Sequence, residues 1–179
     1  MRRIIESTLV SLDGVIADPQ LWAMEYFDQE AQEEALEVLL ASDAMLMGRR
    51  TYEIFARLWP ARSGAYPDRI NAMPKYVFSS TLQRAEWNNS TIVRGDVAAE
   101  VATLKQQGGR DLVLYGHTRL GQTLLDHGLL DELRFAVHPV VVGRGQLLFR
   151  EGLAAKLKLV AATTRKTGVV VLSYQPTAT

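Results

Sequence analysis

The stretch SDAMLMGRRTYE, residues 42–53, runs a short apolar strand directly into a glycine, two arginines and the start of a helix. Backbone N–H groups in the first turn of a helix lack intrahelical partners and carry partial positive charge. Gly48 permits a sharp turn, and the guanidinium groups of Arg49 and Arg50 match the geometry of phosphate. The stretch therefore predicts an anion site, although an ordinary surface turn can carry the same residues.

The composition limits the partners that such a site can have. The chain has 179 residues, of which 47% are hydrophobic, and this predicts one domain over residues 1–179 with a single core. Its 20 Lys and Arg residues balance its 20 Asp and Glu residues. A net charge of zero gives no general attraction to nucleic acid or to an anionic membrane. We expect neither as a partner, and any anion site must be local.

The chain contains no cysteine, which excludes disulfide bonds, thiolate metal sites and cysteine nucleophiles. Its three histidines lack the spacing of metal ligands, so we expect no bound metal. Glu6 and Asp13 interrupt the apolar stretch that follows Met1, and no apolar run is long enough to span a bilayer. Together these features predict a cytoplasmic protein.

Apolar periodicity predicts strands that alternate with helices. Asp28 and Asp96 are the expected N-caps of two helices, and the residues from Pro60 to Pro74 are predicted to form a loop. The predicted strands cover residues 4–11, 45–47, 75–79, 91–93, 112–115, 133–138, 157–161 and 169–174. Strands joined by helices pair in parallel, whereas the later strands lack crossover helices. The sequence therefore predicts an α/β fold with a mixed, mostly parallel sheet, antiparallel C-terminal strands and flanking helices.

Three of the predicted strands end in residues that suit a phosphorylated ligand. In open α/β sheets, ligands bind beyond the carboxyl ends of the strands. Hydroxyl groups can donate to phosphate oxygens, and a glycine before a helix lets the backbone approach a pyrophosphate. The three segments, called here the first, second and third corners, are Gly48-Arg49-Arg50-Thr51, Ser79-Ser80-Thr81 and Gly116-His117-Thr118-Arg119-Leu120-Gly121. Each has an ordinary structural explanation, but together they favour a nucleotide site.

The order of these segments resembles that of the dihydrofolate reductase-like superfamily. The likeness is strongest to the branch that contains the C-terminal reductase domain of bacterial riboflavin-biosynthesis deaminase-reductases and its stand-alone relatives. The runs that carry it cover residues 11–17, 43–52, 77–82, 115–116, 128–133, 139–145 and 147–149. No single run is decisive, but the ordered combination is specific.

The resemblance implies a three-layer α/β fold that binds NADPH in an extended conformation. It assigns the first corner and the hydroxyls of the second corner to the adenosine 2′-phosphate. It assigns the third corner, with Tyr115, to the pyrophosphate, and the loop carrying Val15, Ile16 and Ala17 to the side of the nicotinamide. The two arginines independently favour NADPH over NADH, because NADPH carries one phosphate more.

The sequence says less about the catalytic residues than about the cofactor. Hydride transfer needs a positioned substrate, and a proton has to come from a side chain or from water. Asp13 and Tyr115 are the candidate catalytic residues, although an Asp-Gly turn and a core tyrosine explain them equally well. Dihydrofolate reductases bind pterin through a carboxylate on the first helix, where this chain has Gln32. The acidic residues of this helix are expected to face solvent.

Aromatic and apolar segments suggest a substrate pocket and a subunit interface. Trp22, Tyr26 and Phe27 follow the first turn and are expected either to line the pocket or to form a hydrophobic latch. Residues 135–142 and 147–149 are more apolar than a small sheet edge needs, and the resembled branch is commonly dimeric. We therefore expect a homodimer.

Three functions remain open at this stage. The first is an NADPH-dependent reductase that transfers a hydride to a small pterin-like or pyrimidine-like heterocycle or to a carbonyl compound. The second is the ribosylaminopyrimidine reductase of riboflavin synthesis. The third, from another class, is a nucleotide-binding or regulatory protein without turnover.

Overall fold

A computed structural model describes residues 1–177 of the chain. Its strands are β1 (Ile4–Ser11), β2 (Ser42–Gly48), β3 (Lys75–Phe78), β4 (Ser90–Val93), β5 (Asp111–Tyr115), β6 (Glu132–His138), β7 (Leu157–Thr164) and β8 (Val170–Pro176). Its helices are α1 (Gln29–Ala41), α2 (Arg49–Leu58), α3 (Ala65–Ala72), α4 (Val97–Gln106) and α5 (Arg119–Asp126), and 3₁₀ turns cover Pro19–Leu21 and Met24–Tyr26. Residues 178–179, the end of the predicted single domain, lie outside the described residues.

The described strands form one eight-stranded sheet in the order β4-β3-β2-β5-β1-β6-β8-β7. The pairs from β4 to β6 are parallel, and the β6–β8 and β8–β7 pairs are antiparallel. This confirms the predicted mixed sheet with antiparallel C-terminal strands. It also places β3, β2, β5 and β1 side by side, so that their carboxyl ends meet at one edge.

Alternate residues of β2 enter two separate cores. Ala44 and Leu46 pack in the core that contains buried residues of α4 and α5. Met45 and Met47 pack in the core that contains buried residues of α1, α2 and α3. A strand that is covered on both faces is apolar along its whole length, which explains the unbroken apolar run from Ala44 to Met47. The sheet therefore lies between two helical layers, and the predicted three-layer fold is confirmed.

The helices begin where their sequences predict, with one exception. The Asp28 carboxylate accepts from the Ala31 N–H at 3.0 Å, and Asp96 accepts from the Ala99 N–H at 2.9 Å, so both predicted N-caps are confirmed. The longest helix within residues 1–177, α1, has 13 residues. None of the helices in this range is long and apolar enough to cross a membrane.

The exception is α3, which lies inside the segment from Pro60 to Pro74 that was predicted to be a loop; that prediction was wrong. Gly64 precedes the helix with a φ of 123°, a conformation that favours glycine. Pro67 is tolerated because the first turn of a helix needs no hydrogen bond from its N–H groups. The helix is held by burial of Tyr66 and Ile70 rather than by its own periodicity.

Candidate functional site

The three corners, which are far apart in the sequence, lie against one another at the carboxyl edge of the sheet. Arg49 Nη1 in the first corner donates to Thr81 Oγ1 in the second corner at 2.8 Å. A Cβ atom added to Gly48 would lie 3.8 Å from Thr118 Oγ1 in the third corner. We call the groove between them the arginine groove; it is lined by Gly48, Arg49, Arg50, Ser79, Ser80, Thr81, Arg94, Thr118, Arg119 and Leu120, among others.

Two helices present uncapped N-termini to the arginine groove. In the described part of the chain, no side chain caps α2, which begins after Gly48, or α5, which begins after Thr118. By contrast, α1 and α4 have aspartate caps that satisfy N–H groups of their first turns. First-turn N–H groups without a side-chain partner suit an anion, and the helix dipole adds to the attraction. The groove thus combines backbone donors with arginine side chains.

The two arginines of the first corner are held by pairs that a ligand can replace. Arg49 donates to Glu53 at 2.7 Å, and Arg50 donates to Asp18 at 2.9 Å. The Arg49 and Arg50 side chains are 48% and 62% exposed. Exposed pairs contribute only about 0–1 kcal/mol. A phosphate that accepts from both guanidinium groups can therefore compete with these carboxylates.

The second corner is shaped by its own hydroxyls and by Arg94. Ser79 Oγ accepts from the Leu82 N–H at 2.9 Å, while Ser80 and Thr81 are exposed. Arg94 donates to the carbonyl oxygens of Ser80 and Leu82 at 3.1 and 2.7 Å. No sequence pattern points to Arg94, because its place beside the second corner depends on the pairing of β3 with β4.

The arginine groove continues into a second space, which we call the central cleft. The two spaces share Arg50, Thr118 and Gln146 in their walls. Ile16, Ala17, Thr51, Tyr115 and Gly116 also line the central cleft, as does Ser7 at the centre of the sheet. Val15 does not line it: this residue is 2% exposed and forms a bridge with Leu147 behind the loop. Gln146 carried no sequence signal.

The His117 side chain turns away from the groove into the core. It is fully buried, and Nδ1 lies 2.9 and 3.0 Å from the two carboxylate oxygens of Glu6. Its ring packs edge-on against Phe149. Gly121 also faces the core, because a Cβ at this position would collide with the Glu6 carboxylate. The His117 side chain and the bare backbone of Gly121 therefore serve the packing of α5, and neither residue lines the arginine groove or the central cleft.

At its other end the central cleft opens into a third space, the aromatic pocket. The two share Ser7, Phe55 and Tyr115. The aromatic residues of the pocket are Tyr26, Phe27, Phe55, Trp59, Tyr66 and Tyr115. Trp22 lies behind this wall, where Nε1 donates to the Ala17 carbonyl at 2.9 Å and the ring packs edge-on against His138. Of the three predicted residues, Tyr26 and Phe27 therefore line the pocket, whereas Trp22 forms the hydrophobic latch.

Tyr115 is the last residue of β5 and lines both the central cleft and the aromatic pocket, so it lies at their junction. The Tyr66 and Tyr115 hydroxyls lie 3.4 Å apart, and each hydroxyl can donate to the other or to a ligand. Burial raises the pKa of Tyr115 well above its ordinary value. Tyr115 therefore stays protonated and can act as a hydrogen-bond donor at this junction.

The aromatic pocket also contains charged residues that the sequence did not reveal. Glu34 on α1 was expected to face solvent, but it lines the pocket and accepts two hydrogen bonds from Arg165 at 2.5 and 3.0 Å. Arg134 and His138 on β6 line it as well. Burial lowers the pKa of His138, so this residue is neutral at pH 7.

Asp13 lies outside all three spaces and holds a loop together. Its carboxylate accepts from Ser11 Oγ at 2.6 Å and from the N–H groups of Val142 and Gly143 at 3.1 and 2.7 Å. These hydrogen bonds lower its pKa to about 2. At neutral pH it carries no proton to give, so the geometry favours the turn interpretation over a catalytic one.

The mixed sheet between two helical layers is a dihydrofolate reductase-like α/β fold. The chain belongs to the RibD C-terminal domain family, whose model matches residues 2–171. It is 30% identical over 179 residues to the uncharacterized protein YyaP of Bacillus subtilis (strain 168), covering 97% of this chain and 94% of YyaP. The family resemblance found in the sequence is confirmed.

Solved structures share the whole architecture. A protein assigned to riboflavin biosynthesis from Shewanella sp. PV-4 matches with a TM-score of 0.78 and 21% identity, over 98% of this chain and 99% of that one. A diaminohydroxyphosphoribosylaminopyrimidine deaminase/5-amino-6-(5-phosphoribosylamino)uracil reductase from Thermotoga maritima matches with a TM-score of 0.69 and 14% identity. The match covers 98% of this chain and 57% of the Thermotoga chain. At these identities the likeness supports the fold.

The loop role of Asp13 gives a pH-dependent prediction. Because the folded pKa lies below the ordinary value of 3.8, the carboxylate stabilises the fold fully above about pH 4, and this effect is lost as the pH falls to about 2. Asp13→Asn should lower the free energy of unfolding at pH 7, and its difference from wild type should shrink between pH 4 and pH 2. Urea unfolding at several pH values measures this.

Glu151→Gln removes the same charge at an exposed position and is the matched control. A pH-independent difference between wild type and Asp13→Asn would contradict the assigned role.

Proposed function

We propose that the protein is a cytoplasmic, NADPH-dependent reductase of a small planar heterocycle or carbonyl compound. The observation that carries this proposal is the continuous cleft, which joins an anion-binding groove to an aromatic pocket through the end of β5. NADPH is long, with a 2′-phosphate on its adenosine half, a pyrophosphate in the middle and the reactive nicotinamide ring at the other end, and it matches this division. Membership of the RibD C-terminal domain family supports the same conclusion.

The residues of the cleft fit NADPH section by section. Arg49 and Arg50 would hold the 2′-phosphate, with the hydroxyls of Ser80 and Thr81 beside them. The uncapped start of α5 at Thr118 would hold the pyrophosphate. The nicotinamide would then lie in the central cleft, next to the aromatic pocket.

The bound cofactor would supply a hydride to the substrate. The protein would contribute position and a dry environment: Phe27 and Phe55 cover the substrate ring, and Tyr115 donates a hydrogen bond at the junction. Because Asp13 is ionised and the raised pKa makes the Tyr115 hydroxyl a weak acid, the required proton would come from water.

Cofactor preference tests the role of the first corner. The double variant Arg49→Ala/Arg50→Ala should weaken NADPH binding by roughly 10-fold or more, because charge-assisted hydrogen bonds to the 2′-phosphate are lost. NADH binding should change little, since NADH lacks that phosphate. Isothermal titration calorimetry with both cofactors measures the preference.

Arg84→Ala is the matched control, because Arg84 is exposed and pairs with Glu86 at 3.6 Å beside a different groove. Equal affinity of the wild type for NADH and NADPH, or an unchanged preference in the double variant, would refute the assignment.

Turnover separates the three functions. Oxidation of NADPH should occur with at least one member of a panel of dihydropterins, pyrimidines and quinones. Oxidation only with the ribosylaminopyrimidine that the Thermotoga enzyme's name specifies would identify a riboflavin-pathway reductase. Binding of NADPH without oxidation of any member would instead favour a regulatory protein.

We also propose that the protein is a homodimer, with an interface that differs from the expected one. Phe135 and Phe149 pack against each other inside the subunit, so the expected apolar segment is partly used. The edge strand β7 is exposed along most of its length, and Leu159 and Val160 are each 51% exposed. An exposed apolar edge strand favours association with a second copy.

Light scattering should give the mass of a dimer for the wild-type protein. Leu159→Lys should shift the measured mass to that of a monomer, because it places a charge on the apolar edge strand. A wild-type protein with the mass of a monomer would refute the proposal.

A further inference from the structure

The floor of the aromatic pocket carries a polar row that crosses three neighbouring strands. The register of the sheet places Ser7 on β1 opposite Tyr115 on β5 and opposite Arg134 on β6. Residues in register on adjacent parallel strands point to the same face, and strands lie roughly 5 Å apart, so the row spans roughly 10 Å. All three side chains belong to residues that line the aromatic pocket.

Strand β6 divides its residues between the core and this pocket. Leu133 and Phe135 enter the core beside α5, whereas Arg134, Ala136 and His138 line the pocket. The Arg134 side chain is 28% exposed, so it is partly withdrawn from water, and a partly buried arginine needs a partner for its charge. The position of Arg134 therefore indicates the charge of the ligand that the pocket binds.

The charges around Arg134 leave it as the least compensated cation of the pocket. Arg165 is neutralised by two hydrogen bonds from its guanidinium to Glu34. Among residues 1–177, the carboxylate that pairs with Arg134 is that of Glu132, which lies 4.0 Å from Arg134 Nε and 3.8 Å from Arg3. His138 is neutral because burial lowers its pKa. A net positive charge thus faces the space where the substrate ring would lie.

Hydrogen-bond donors lie in the same pocket as this positive charge. Tyr115 presents its hydroxyl to the pocket, and the positive charge of Arg134 acts to lower the pKa of Tyr115 against the larger effect of burial. Trp59 lines the same pocket, and its buried indole N–H has no hydrogen-bond partner within residues 1–177. A pocket with donors and a cation in an aromatic surround suits a planar ligand that presents an acceptor oxygen.

We propose that the row of Tyr115, Ser7 and Arg134 recognises a planar substrate that carries a carbonyl or anionic oxygen beside the carbon that is reduced. This inference rests on the proposed reductase function. The hydride adds to the carbon of a C=O or C=N bond, the two π electrons move to the oxygen or nitrogen, and that atom takes a proton from water. Arg134 stabilises the negative charge that develops there, either on the atom itself or on an oxygen conjugated with it.

Binding of matched probes tests the proposal without turnover. The probes are 2-naphthoate and 2-naphthylmethylamine, which share a planar ring and differ in the sign of their charge. Wild-type protein should bind the carboxylate more tightly than the amine. Arg134→Gln should weaken binding of 2-naphthoate at least about 10-fold, because the charge-assisted hydrogen bond is lost. Arg134→Lys should retain part of the affinity.

Arg150→Gln, which removes an exposed arginine that pairs with Asp126 at 3.0 Å, should leave 2-naphthoate binding unchanged. Calorimetry with NADPH on the same variants separates this proposal from the cofactor assignment, since Arg134 lies outside the walls of the arginine groove. Equal affinity of wild type and Arg134→Gln for 2-naphthoate, preference of the wild type for the amine, or lack of saturable binding of 2-naphthoate would each overturn the role of Arg134.

Discussion

Parallel pairing of β3, β2, β5 and β1 is the constraint on which the site depends. In a parallel sheet every strand leaves at the same edge, so the loops that follow these four strands are neighbours whatever their distance in the sequence. The first and second corners are joined by a hydrogen bond from Arg49 to Thr81, and the first and third meet between Gly48 and Thr118. One long cleft results from this topology.

A buried hydrogen-bonded pair of polar side chains supports the third corner from behind. Glu6 and His117 are fully buried, and the Glu6 carboxylate also accepts from Thr8 Oγ1 at 3.1 Å. Removing one partner of such a pair leaves an uncompensated polar group in the core, which is costly. The absence of a side chain at Gly121 lets α5 approach this carboxylate closely. The pair therefore fixes the turn from Gly116 to Thr118, which lines both the arginine groove and the central cleft.

Local chemistry was the predictable part of this molecule. Strand ends, the Asp28 and Asp96 caps and the phosphate-compatible corners all depend on residues close together in sequence, and their positions follow from known preferences. The helix α3 was missed because its stability comes from burial of Tyr66 and Ile70 against other elements. Short helices of this kind leave little periodic signal.

The walls of the aromatic pocket were the unpredictable part. Period-two alternation in β6 separates Leu133 from Arg134, but it does not say that a second helical layer covers the polar face. Glu34 was assigned to solvent for the same reason, since its partner Arg165 is distant in sequence. His117 was assigned to the phosphate site because it lies between Gly116 and Thr118, but its side chain points into the core and contacts Glu6. Such residues become recognisable only when the packing of the layers is known.

A crystal structure of the protein with bound NADP⁺ tests most directly whether one dinucleotide occupies the whole cleft. We predict density for the 2′-phosphate within hydrogen-bond distance of Arg49 and Arg50, and density for the nicotinamide beside Ser7 and Tyr115. A cofactor bound elsewhere on the molecule, or bound with its adenosine end in the aromatic pocket, would contradict the proposed arrangement.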